Sequence, residues 1–181
     1  MDRDLDRKLF TVDDLDEITT RLAKEIENDY KDAKNVLLLG ILKGSVVFMS
    51  DLMKKIKKPL QIDFMKVSSY GSGTTSSGKI NIILDLHRKD LSELDILVVE
   101  DIIDSGRTLS YLVEYLKLKG AHSVKTCTLL DKPMRREVEF TPDYVGFEVP
   151  DEFVIGYGLD YNEQYRALPY VDVLKPCVYA K

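Results

Sequence analysis

Glu100 and Asp101 are followed by two isoleucines and then by the short polar run Asp104-Ser105-Gly106-Arg107-Thr108. These residue types at this spacing suit the binding of a phosphate, with the two acids free for another task. Ile96-Leu97-Val98-Val99, just before the acids, reads as a strand buried on both faces of a parallel sheet. Leu109, Leu112, Val113 and Leu116, just after the loop, fall at helical spacing, and Gly120 can close that helix. A strand, a small loop and a helix start gather free backbone N–H groups and the positive end of a helix dipole at one point, which favours a phosphate. Gly106 allows close approach, and Ser105 and Thr108 add hydroxyl donors. Carboxylates beside a phosphate would repel it, so Glu100 and Asp101 need another task, either sugar hydroxyls or a metal ion. The loop has neither the G-x-x-x-x-G-K-[ST] spacing nor the G-x-G-x-x-G spacing. The plain alternative is an ordinary strand-to-helix turn capped by Asp or Ser.

A second turn has the same geometry. Val36-Leu37-Leu38-Leu39 reads as a buried strand, Gly40 to Ser45 as a turn, and the stretch from Val46 to Ile56 as a helix. Leu42, Lys43 and Gly44 form its tip, and a plain β-to-α turn fits it equally well. Lys132 follows a third strand, Val124 to Leu130. An ammonium only donates hydrogen bonds, so at a binding site it would choose a carbonyl over an amino group. Arg135 and Arg136 begin a charged connection expected at the surface.

The remaining elements position these groups. Residues 11–29 are predicted to be an amphipathic helix with a capping-box start at Thr11 and Asp14, and with Leu15, Ile18, Leu22 and Ile26 on one face. Residues 60–67 and 80–84 are strands flanking a Gly- and Ser-rich stretch, 68–78, that cannot form a core. Residues 144–149 and 153–157 are short strands, and 170–174 a last one. The two histidines, His87 and His122, lie in no ligand or triad pattern and are expected at the surface.

The composition excludes several classes. The chain has 181 residues, 44% hydrophobic and 31% charged, which suits one globular domain. Its net charge of −5 argues against nucleic acid as the main partner. No apolar run is long enough to span a bilayer, and the first residues lack a signal-peptide core. Two cysteines are too few for a disulfide framework or a zinc site. A cytoplasmic protein with no membrane partner is expected.

VVEDIIDSGRTL resembles the phosphoribosyl-pyrophosphate loop of type I phosphoribosyltransferases, and its EDIIDSG form is most similar to the hypoxanthine-guanine phosphoribosyltransferases. The LKG turn, SSYGSG and the block FVIGYGLDYNEQYR match that family in the same order, so the likeness runs from Leu37 to about Val173. It implies a single-domain α/β fold over residues 1–181, with a mostly parallel twisted sheet flanked by helices. A core of about 36–150 would carry a small hood from about 150–181 and part of the N-terminal region. It implies transfer of a 5-phosphoribosyl group to N9 of hypoxanthine or guanine, in purine salvage. Phosphoribosyl pyrophosphate would be held by Leu42, Lys43, Gly44, Glu100, Asp101, Asp104, Ser105, Gly106, Arg107, Thr108 and Arg166, with the Arg107 side chain adding charge near the phosphate. The Leu42–Lys43 peptide could adopt a cis form. Asp104 would be the catalytic base or acid at purine N7. Lys132, Phe153, Val154 and Asp160 would bind the purine, the lysine through its 6-oxo group. Glu100, Asp101 and Asp160 would hold magnesium, and Ser69 and Tyr70 would act as a lid. The resemblance also implies a homo-oligomer, dimer or tetramer. The rival from another class is a transcriptional regulator of the same fold that binds phosphoribosyl pyrophosphate without turning it over.

Overall fold

The structure, a computed structural model, describes residues 2–69 and 80–180. Its main sheet is built on the apolar runs that the sequence marks. Strands β2 (Val36–Ile41) and β5 (Asp95–Ile103) lie side by side in parallel at its centre. Strand β3 (Gln61–Ser69) flanks β2 in parallel, and β6 (Ser123–Asp131) flanks β5 in parallel. The edges are β7 (Tyr144–Glu148), parallel to β6, and β4 (Ile80–Leu84), antiparallel to β3. The order is therefore β4-β3-β2-β5-β6-β7.

Alternate residues of the central strands feed two separate cores, as the period of two requires. Leu38, Leu97 and Val99 pack on helices α1 (Val12–Asp29) and α2 (Ser45–Lys55). Leu37, Leu39, Ile96 and Val98 pack on the other face, with helix α3 (Arg107–Leu118) through Leu109, Leu112 and Leu116. Helix α1 starts as expected: Thr11 Oγ1 accepts from the Asp14 N–H, and Asp14 Oδ2 accepts from the Thr11 N–H. Leu15, Ile18, Leu22 and Ile26 form its buried stripe. No helix among the described residues is long and apolar enough to cross a membrane.

Two departures from the sequence expectation shape the site. Strand β5 does not end before the acids. It runs on through Glu100 and Asp101 to Ile103, because Glu100 pairs with Thr128 and Ile103 with Asp131 on β6. Ladder hydrogen bonds here outweigh the poor strand preference of two acids. The second feature is strand β1 (Leu5–Phe10), whose charged middle conceals it in the sequence. It pairs antiparallel with β9 (Val171–Leu174), which pairs in turn with the two-residue β8 (Val154–Ile155). This three-stranded hood sits at the carboxyl end of the main sheet, with the short helix α4 (Pro176–Tyr179) beside it.

Candidate active site

Two adjoining cavities share Ile102 and Asp104 at the carboxyl end of β5. The first, about 260 Å³, is lined by Asp101, Lys132, Phe153, Val154 and Asp160, among others. The second, about 200 Å³, is lined by Glu100, Ser105, Gly106 and Thr108. Most of the residues expected to bind ligand therefore meet around one hollow.

The loop into α3 forms the wall of the second cavity. Gly106 caps the helix with φ +80°, a left-handed conformation that suits glycine. The Gly106 carbonyl accepts the first helical bond, from Ser110 N–H at 3.0 Å. The connection after β6 lies against this loop. Ser105 O accepts from the Glu137 N–H at 2.9 Å, and Arg107 Nε donates to Glu137 Oε2 at 2.6 Å. Arg107 is thus tied to an acid on the exposed side, and its charge is matched there.

The turn after β2 forms the floor. The Leu42–Lys43 peptide is cis. Gly44 has ordinary helical angles, φ −61° and ψ −36°, so glycine is needed there for space. A Cβ at Gly44 would lie 1.6 Å from Asp101 Oδ2, and one at Gly158 would lie 2.1 Å from Gly44 O. The hood turn, the Gly44 turn and the β5 acids are stacked in contact through these two glycines. Tyr157 Oη donates to Asp51 Oδ2 at 2.7 Å and fixes the hood turn to α2.

The acids are poised by their surroundings. Burial and the neighbouring Asp101 charge push the Glu100 carboxyl well above the usual range. Burial also raises Asp101, and hydrogen bonds from Glu100 and the Ile102 N–H partly offset this. Among the described residues, Asp104 Oδ1 is buried with no hydrogen-bond partner. Lys132 Nζ donates to Glu152 O at 2.7 Å and stands 4.0 Å from Asp104 Oδ1. Lys132 is 5% exposed, and burial lowers its pKa against the upward pull of Asp104.

Lys132 is therefore a wall of the cavity rather than a solvated charge. Phe153 stacks on Tyr179 of α4, ring centroids 5.0 Å apart, and meets Tyr161 edge-on.

Other expected residues lie differently. Arg166 does not line either cavity. Its Nη1 donates to Gly158 O at 2.7 Å and its Nη2 pairs with Asp160 Oδ1 at 2.8 Å, so it braces the hood turn. Lys43 Nζ pairs with Glu163 at 2.8 Å. Glu100, Asp101 and Asp160 do not form one metal cluster: among the described residues, no three His, Cys, Asp or Glu groups converge closely enough. Asp101 and Asp160 share the first cavity, and Glu100 faces the second. Ser69 ends β3, and Tyr70 lies outside the described residues, so the lid falls beyond the geometry described.

Sequence reasoning missed Ile102, Tyr179 and Arg136. Pro176, a favoured first residue of a helix, was the available signal for α4. Arg136, expected at the surface, is largely buried and donates to Asp104 O and Asp131 Oδ1.

The phosphoribosyl transferase domain profile matches residues 11–162. The chain belongs to the phosphoribosyl transferase family. This phosphoribosyl transferase is 50% identical to the hypoxanthine-guanine phosphoribosyltransferase of Bacillus subtilis, over 99% of this chain and 98% of that protein. It is 52% identical to the bifunctional protein TilS/HprT of Listeria monocytogenes, over all of this chain but only 28% of that longer protein. The solved structure of a hypoxanthine phosphoribosyltransferase from Staphylococcus aureus superposes with a TM-score of 0.94 at 47% identity, covering 100% of this chain and 97% of that one. The single α/β domain and its mostly parallel sheet are the fold of this family.

Proposed function

We propose that this phosphoribosyl transferase salvages purines, moving the 5-phosphoribosyl group of phosphoribosyl pyrophosphate to N9 of hypoxanthine or guanine. One observation carries the reading. Lys132, whose ammonium can only donate, and the half-exposed carboxylate of Asp104 line one cavity, with Lys132 Nζ 4.0 Å from Asp104 Oδ1. A 6-oxopurine presents a carbonyl and N7 side by side on one edge, and the two groups match that pair. Phe153 offers the flat face for stacking and Val154 the backbone for the ring edge.

In the reaction, the bond from the anomeric carbon to pyrophosphate breaks and a bond from that carbon to N9 forms. The electron pair leaves with pyrophosphate, and the N7 proton passes to Asp104. The Asp104–Thr108 loop holds the 5′-phosphate, and Glu100 and Asp101 accept from the ribose hydroxyls. Lys43 turns from Glu163 to the pyrophosphate.

A divalent ion fits the donor set, because Asp101 and Asp160 are hard oxygen ligands on one cavity. With fewer than three protein ligands converging among the described residues, it would share substrate oxygens and water, as magnesium does. When bound, it neutralises the leaving pyrophosphate. The same reading carries a cytoplasmic, homo-oligomeric enzyme, with a lid of Ser69 and Tyr70 that excludes water from the sugar cation. The regulator alternative gains no support, since the Bacillus subtilis relative carries an enzyme's name.

The test is nucleotide formation from phosphoribosyl pyrophosphate and magnesium, with hypoxanthine, guanine, xanthine and adenine supplied separately. Turnover with hypoxanthine or guanine, little with adenine, and loss on chelation are expected. Binding of phosphoribosyl pyrophosphate with no turnover of any base would overturn the proposal.

A further inference from the structure

The β5–β6 ladder ends at the pair Ile103 and Asp131, with the Lys132 N–H donating to Ile103 O at 3.0 Å. Past that point the two segments diverge. One runs into the phosphate loop at Asp104, and the other reaches Lys132 and the turn Pro133–Arg135. Asp104 and Lys132 thus sit where the sheet no longer fixes their spacing. Arg136 spans the gap. Its Nη1 donates to Asp104 O at 2.6 Å, and its Nη2 donates to Asp131 Oδ1. Only 17% of its side chain and 16% of the Asp131 side chain are exposed, so the pair is screened little by water. The arginine stem supports the loop as well: a Cβ on Gly106 would lie 2.9 Å from Arg136 Cδ.

We propose that Arg136 is a positioning residue that sets the separation of Asp104 and Lys132 across the base cavity. The inference rests on the proposed reaction, in which those two groups read adjacent atoms of the purine edge. A planar guanidinium suits the task, because one rigid fork serves two acceptors on two segments. An ammonium is a single point charge and cannot hold both in fixed geometry. Without Arg136, the Asp104 carbonyl has lost this anchor and the loop can shift against Lys132.

The test separates positioning from mere satisfaction of Asp131. Asp131→Asn is the reference, since an amide oxygen still accepts from Arg136. Asp131→Asn with Arg136→Met differs from it only at Arg136 and leaves no unpaired buried charge. The measurements are thermal unfolding and kcat/KM with hypoxanthine and with adenine. At an unfolding midpoint within a few degrees of the reference, the double variant should lose about ten-fold or more in kcat/KM for hypoxanthine, the scale of one hydrogen bond to a charged group. Its hypoxanthine-to-adenine ratio should fall too, which a simple loss of folded protein cannot cause. Equal activity in the two variants, or an equal loss with both bases, would overturn the inference. If the double variant does not fold, the same ratio is read on Arg136→Lys, where an unchanged ratio has the same force. Failure of the unmodified enzyme to use hypoxanthine would instead count against the proposed reaction.

Discussion

Lys132 Nζ and Asp104 Oδ1 lie 4.0 Å apart, beyond a hydrogen bond, with the lysine bonded to a backbone carbonyl and the carboxylate oxygen without a partner among the described residues. The gap is held open by Glu152 O, which draws the ammonium aside. A carbonyl on the base would meet a donor, whereas an exocyclic amine would meet only donors of its own kind. Replacing Lys132 with Gln supplies an amide that can donate or accept. The preference for hypoxanthine over adenine should fall by about ten-fold or more, since a charged hydrogen bond is worth about 1.5–3 kcal/mol. Paired kcat/KM measurements check this, and an unchanged preference would remove Lys132 from the recognition of the 6-oxo group.

Asp104→Asn keeps the shape and the carbonyl held by Arg136, but it removes the proposed proton acceptor. General-base loss costs about 100-fold or more in rate. A drop of that size in kcat, with little change in KM for phosphoribosyl pyrophosphate, is expected by steady-state kinetics. Near-normal turnover in a folded variant would end the base assignment.

Much of this site was legible in the chain, and what escaped has a physical cause. The unbroken run Ile96 to Val99 and the spacing of Leu109, Leu112 and Leu116 mark β5 and α3 because burial imposes those periods. The point where β5 stops was hidden, because Glu100 and Asp101 stay in the ladder through partners on β6 that are distant in sequence. Strand β1 was missed for a similar reason. Its centre is exposed and charged, and it exists by pairing with β9 at the far end of the chain. Arg136 looked like a surface residue because a buried arginine is betrayed only by its partners, here Asp131 and the Asp104 carbonyl.

Glu100 and Asp101 are adjacent carboxylates in a site that raises both, through burial and, for Glu100, through the charge of Asp101. Such a pair costs stability until a ligand uses it. Glu100→Gln should therefore raise the unfolding midpoint of the ligand-free protein, by about 2–4 °C for each kcal/mol relieved. The added stability conferred by phosphoribosyl pyrophosphate with magnesium should shrink in the same variant. Scanning calorimetry with and without ligand, and with a chelator, reads both effects. A lower ligand-free midpoint would contradict the strain.

Tyr179 reaches the base cavity from the short helix α4 and backs the Phe153 ring at 5.0 Å. An aromatic pair of this kind is worth about 0.5–1.5 kcal/mol beyond its buried area. Tyr179→Ala should therefore raise KM for hypoxanthine about two- to ten-fold and leave KM for phosphoribosyl pyrophosphate nearly unchanged. Tyr179→Phe retains the ring and should restore the first value. Equal changes in both constants would place the effect elsewhere.

Gly44 offers the sharpest steric test, because its backbone angles are ones that alanine adopts freely, and the obstacle is the Asp101 carboxylate. An added Cβ would sit 1.6 Å from Asp101 Oδ2, so either the turn or the acid must move. Overpacking of this sort costs about 1–3 kcal/mol. Gly44→Ala should lower the unfolding midpoint and reduce kcat/KM for phosphoribosyl pyrophosphate by about ten-fold or more. Adding Asp101→Ala removes the obstructing carboxylate, so the midpoint should recover. Activity should stay low, because on the proposed reading Asp101 serves the ribose and the metal. Recovery of both would mean that Asp101 only fills space beneath the turn, and recovery of neither would put the clash somewhere other than the carboxylate.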